Sequence, residues 1–146
     1  MANTVLHPIK ILIVEDNPGD VELAREALRS SKLANELIVA SDGTAALAEL
    51  ERGVRENALP DLVFLDLNLP GLSGTEVLQA IKNSPDTARL PVVILTSSRA
   101  ESDILRSYNL HANCYVTKPI DFGQFIEVVQ TIEDFWFTVA KLPGRV

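Results

Sequence analysis

The sequence predicts an α/β protein, a doubly wound five-stranded parallel sheet with helices on both faces. Two observations carry this. Five short apolar runs recur along the chain: Ile9–Val14, Leu37–Val39, Leu62–Leu65, Val92–Leu95 and Cys114–Val116. They are near-continuous rather than alternating, as expected of strands buried on both faces of a parallel sheet. Between them lie segments with helical spacing. Parallel neighbours need such crossovers, and right-handed crossovers on both faces give three layers.

The elements follow in order. After the first run, Glu15-Asp16-Asn17-Pro18-Gly19 has turn chemistry, and Val21, Ala24, Ala27 and Leu28 then share one helical face. The second run leads to a helix carrying Ala46, Leu47 and Leu50 on one face. Glu51–Pro60 reads as a loop, polar and ending in proline. The third run is followed by Leu67–Gly74, a loop, and by Val77, Leu78 and Ile81 on a third face. Ser73-x-x-Glu76 has capping-box spacing at its start, as does Ser98-x-x-Glu101 at the next helix. Asn83–Pro91 reads as a loop broken by Pro85 and Pro91. Ile104, Leu105 and Tyr108 mark the fourth helix, and the last helix runs from Phe122 to about Val139.

Length and composition bound the rest. The 146 residues suit one domain, with a core over about 9–139 and an extended last helix and tail over 121–146. Twenty carboxylates against thirteen Lys and Arg leave a charge of −7, the wrong sign for diffuse nucleic-acid binding. The single cysteine, Cys114, excludes an internal disulfide and a cysteine-based zinc cage. No apolar run approaches the roughly 18 residues of a membrane span. Met1–Pro8 lacks the pattern of a secretory leader, so the expected location is the cytoplasm.

Ligands of an open parallel sheet bind outside the carboxyl ends of its strands. The first run ends in Glu15-Asp16, the third in Asp66, the fourth in Thr96-Ser97-Ser98, and Lys118-Pro119 follows the fifth. Three carboxylates brought together repel and need a cation. Oxygen donors without His or Cys favour a hard ion such as Mg2+, which keeps waters and takes few carboxylates plus a phosphate. Lys118 and the Thr96 hydroxyl beside such an ion have the chemistry to neutralise a phosphoryl group in transit. A carboxylate can itself accept the group, and Asp66, ending the central strand, is the best placed.

The segments Ile11–Asp16, Asp61–Gly71, Pro91–Thr96 and Tyr115–Pro119, at consecutive strand ends, resemble the receiver domains of two-component response regulators. The resemblance covers about Ile9 to Val139 and implies the flavodoxin-like strand order 2-1-3-4-5. It implies that Asp66 receives phosphate from a histidine kinase. It implies that Glu15, Asp16, Asp66 and the main-chain carbonyl of Asn68 hold Mg2+ or Mn2+. Thr96 matches the switch hydroxyl, Lys118 its phosphate-pairing lysine and Tyr115 the switch aromatic. Two positions depart from the pattern: Glu15 stands where the family more often has Asp, and Ser97 where it prefers Ala or Gly.

Phe135-Trp136-Phe137, Lys141-Leu142-Pro143, Asp66–Gly71 and Asn113–Pro119 are similar to the small single-domain regulators paired with bacterial phytochrome histidine kinases. The last helix is also richer in apolar residues than one face requires. Phe122, Phe125, Val129, Ile132, Trp136 and Val139 form one stripe, while Val128, Phe135 and Leu142 recur on a rotated face. That second face predicts a homodimer.

The expected function is a stand-alone response regulator, a switch rather than a turnover enzyme, whose output is a partner protein or onward phosphotransfer. An interaction module that works without phosphorylation is the alternative. An aspartyl-phosphate hydrolase of the haloacid-dehalogenase type is remote, because Asn68 stands where that family has a second Asp. A flavodoxin-type FMN binder is disfavoured by the acidic residues that follow the first strand, which would repel the cofactor phosphate.

Overall fold

The computed structural model describes residues 8–30, 34–96 and 114–117, together with helical positions 123, 127, 130 and 131. The strands are β1 (Ile9–Val14), β2 (Asn35–Ala40), β3 (Leu62–Asp66), β4 (Val92–Thr96) and β5 (Cys114–Thr117). They form one parallel sheet in the order β2-β1-β3-β4-β5, as expected. Helices α1 (Pro18–Arg29), α2 (Gly43–Glu56) and α3 (Gly74–Asn83) connect the first four strands.

Alternation along the central strands divides the core into two layers. Ile9, Ile11, Ile13, Leu62, Phe64, Val93 and Leu95 pack with Ala24, Ala27 and Leu28 of α1. Leu12, Val14, Val63, Leu65, Val92 and Ile94 face the other way, onto Ala46 and Leu50 of α2 and Val77, Leu78 and Ile81 of α3. The central strands are thus apolar on both faces because helices cover both.

The helix ends follow local chemistry. Asn17 caps α1 by accepting from the Asp20 N–H, and Pro18 starts it, where a missing N–H costs nothing. Asp42 caps α2 through the Ala45 N–H at 2.7 Å. At α3 the predicted capping box is present in both directions: the Glu76 N–H donates to Ser73 Oγ, and the Ser73 N–H to Glu76 Oε1. Ser84, extended before Pro85, ends α3. Lys82 Nζ then ties this helix to the next turn through the Ala88 and Leu90 carbonyls, and partial burial lowers its pKa below the ordinary lysine value.

Two expectations are corrected. The segment expected as a loop over Glu51–Pro60 is helical as far as Glu56. Its charged residues form a solvated face on which Arg52 pairs with Glu49 and Glu56, while Leu50 and Gly53 stay buried. The helix stops only at Asn57, whose φ of 54° is the left-handed conformation that Asn tolerates. The second correction concerns β2, expected to be buried on both faces. It is an edge strand with exposed Glu36 and Val39, and it runs from Asn35 to Ala40.

In the last segment, the described positions Gly123, Glu127, Gln130 and Thr131 are helical and exposed. Their spacing of four, three and one traces one polar helical face. The Ser98 capping box, the fourth helix and the apolar stripes of the last helix lie outside the described residues.

Candidate functional site

The sheet register brings the acidic residues together. Val14 of β1 lies opposite Leu65 of β3, so Glu15 and Asp66 leave their strands at the same level. β4 continues the row, with Leu95 opposite Asp66. Ladder bonds extend past the strand ends and fix this edge: the Glu15 N–H donates to the Ala40 carbonyl at 3.0 Å, and the Leu67 N–H to the Leu95 carbonyl at 3.1 Å.

Carboxylate oxygens of Glu15, Asp16 and Asp66 lie within 4.8 Å of one another. Glu15 is 1% exposed and Asp66 4%, whereas Asp16 is open to solvent. Each buried carboxylate is held by its own loop. Glu15 Oε2 accepts from the Asn17 N–H at 3.2 Å, and Asp66 Oδ1 from the Asn68 N–H at 3.0 Å. These bonds set carboxylate rotation without contributing a positive charge.

Like charges at this spacing repel by on the order of a few kcal/mol per pair at an effective dielectric near 20. An oxygen-donating cation relieves that repulsion, and an all-carboxylate set, two buried and one facing water, matches Mg2+ or Mn2+ rather than zinc. The donor set therefore fits the ion expected from the sequence. Asn68 is exposed beside Asp66, where its main chain follows the acceptor strand.

Thr96 ends β4, next to the Asp66–Leu95 pair, and Tyr115 of β5 is paired with Ile94 of β4. Their backbones therefore belong to the same end of the sheet; their side chains, and Lys118, lie outside the described residues.

One close approach at this strand end escaped the sequence reading. Gly74, the first residue of α3, closes the loop after Asp66 by donating its N–H to the Leu67 carbonyl at 3.1 Å. A glycine following a helix-capping serine reads as ordinary helix-start chemistry, and only tertiary distances reveal how closely it meets β3.

The response regulator receiver domain family matches residues 11–130. The chain is 47% identical over 139 residues to response regulator Rcp1 of Synechocystis sp., covering 94% of this chain and 95% of Rcp1. The solved Mn2+-bound form of Rcp1 has a TM-score of 0.79, covering 94% of this chain and all of that one (100%). The phosphorylated cyanobacterial phytochrome response regulator RcpA gives a TM-score of 0.81 at 46% identity, with 94% and 100% covered. The bacteriophytochrome response regulator AtBRR gives 0.72 at 47% identity, with 90% and 96% covered.

Proposed function

The chain belongs to the response regulator receiver family, and on that premise we propose that Asp66 is its phosphoacceptor. The observation that carries this reading is the meeting of Glu15, Asp16 and Asp66 within 4.8 Å, with Asp66 buried at the end of the central strand. An Asp66 oxygen forms a bond to phosphorus while the P–N bond of a kinase phosphohistidine breaks, and the imidazole leaves with the electron pair. The Asn68 N–H holds Oδ1 and so orients the attacking carboxylate.

Glu15, Asp16, Asp66 and the Asn68 carbonyl hold Mg2+ or Mn2+, as the donor set and the Mn2+-bound relative support. Bound there, the ion supplies charge neutralisation for the carboxylates and the phosphoryl oxygens. Lys118 pairs with the phosphoryl group, Thr96 turns its hydroxyl toward it, and Tyr115 responds to that turn. The added charge biases a two-state surface, so the protein acts stoichiometrically as a switch.

The relatives named for phytochrome signalling support a bacterial phytochrome histidine kinase as the donor, which agrees with a cytoplasmic location. Among the described residues, no helix is long and apolar enough to cross a membrane. The charge of −7 argues against nucleic acid as the output partner.

The last helix, within the domain proposed over 1–146, supplies a homodimer face through Val128, Phe135 and Leu142. Phe135→Asp is expected to elute as a monomer where the wild type elutes as a dimer; an unchanged elution volume removes that face from the proposal.

Acetyl phosphate with Mg2+, followed by intact-mass measurement, tests the acceptor. One phosphoryl adduct is expected on the wild type and none on Asp66→Asn. An undiminished adduct on the variant would overturn the assignment.

A further inference from the structure

We propose that Gly74 is a positioning residue for the phosphoacceptor: the missing side chain at the start of α3 sets where the Asp66 carboxylate sits. This rests on the reading of Asp66 as acceptor. A Cβ on Gly74 would lie 2.3 Å from the Asp66 carbonyl oxygen, 2.4 Å from Leu67 Cα and 2.9 Å from the Asp66 carbonyl carbon. All are main-chain atoms, so no rotamer change relieves the overlap. Restoring an ordinary contact requires the helix start or the Asp66–Leu67 peptide to move by about 1 Å.

Neither side yields freely. β3 lies between β1 and β4, and the Leu67 N–H is bonded to the Leu95 carbonyl. α3 is anchored by Val77, Leu78 and Ile81, all fully buried. A displacement reaches the carboxylate by two routes. It pushes directly on the Asp66 carbonyl, and it shifts Leu67, whose carbonyl accepts from the Gly74 N–H. Leu67 in turn carries Asn68, whose N–H holds Asp66 Oδ1. Either movement changes the spacing of Asp66 from Glu15 and Asp16. Gly74 touches no reacting atom; it acts through the backbone of the residue that does.

The test compares Gly74→Ala with Ser73→Ala, which removes the cap of the same turn but leaves the close approach intact. Mn2+ affinity is measured by calorimetry, phosphorylation rate with acetyl phosphate, and stability by thermal melting. Below its melting transition, Gly74→Ala is expected to bind Mn2+ about 10- to 100-fold more weakly. It is expected to accept phosphate roughly a hundredfold more slowly. Ser73→Ala is expected to melt at a lower temperature and keep wild-type affinity and rate.

A folded Gly74→Ala with wild-type affinity and rate overturns the proposal. So does a Ser73→Ala that loses affinity as Gly74→Ala does, since helix stability would then explain both. If Gly74→Ala does not fold in dilute buffer, it is compared with the wild type in trimethylamine N-oxide, which favours the folded state, and the same affinity outcomes decide: weaker Mn2+ binding supports the proposal and wild-type binding overturns it. A wild type that binds Mn2+ but takes no phosphate defeats the acceptor reading, and the affinity comparison then judges Gly74 alone.

Discussion

The three acidic side chains divide their labour by burial. Glu15 and Asp66 are enclosed and fixed by loop amides, while Asp16 faces water, where an ion and its remaining waters have access. Asp16→Asn is expected to weaken Mg2+ binding at least tenfold in a calorimetric titration, on the order seen for losses around metal sites. Without metal the same variant is expected to melt at or above the wild-type temperature, because it removes like-charge repulsion from an exposed position. A lower melting temperature with unchanged affinity would mean that Asp16 is structural. These residues were legible in the sequence because their types and strand-end positions carry the chemistry. Gly74 was not, because its role lies in a distance between α3 and β3 that no local pattern encodes.

At the scale of elements, the strands were legible wherever both faces are covered. β1, β3 and β4 read as apolar runs because helices pack on each side of them. β2 carries an apolar run, Leu37–Val39, but it opens on Asn35 and Glu36 and lies at the sheet edge, a position set by its neighbouring strands. The last turns of α2 were obscured by their charge, which belongs to an exposed face paired through Arg52. The capping box of α3 was visible because it is local, and Ser73→Ala is expected to cost about 1 kcal/mol in denaturant unfolding. Phe64, fully buried in the α1-side layer, sets the larger scale: Phe64→Ala is expected to cost about 3–5 kcal/mol. A loss below that of Ser73→Ala would contradict the assigned core.

For the whole molecule, site and fold share one edge of the sheet, so ligation and stability are linked. An ion that binds only the folded chain stabilises it by mass action, about 2.7 kcal/mol at a hundredfold excess over its Kd. The melting temperature is therefore expected to rise with Mg2+ in the wild type and to respond far less in Asp16→Asn. The charge of −7 takes on a partial meaning here, since three of the carboxylates lie at one site and the remainder include the solvated faces of the helices. The central claim is that Asp66 carries the phosphoryl group, and chemical mapping tests it most directly. After phosphorylation with acetyl phosphate and Mg2+, borohydride reduces an aspartyl phosphate to homoserine, which peptide mass spectrometry locates. Homoserine at position 66, dependent on both phosphodonor and Mg2+, is the predicted result; homoserine at another aspartate, or none in a protein that has gained phosphate, would contradict it.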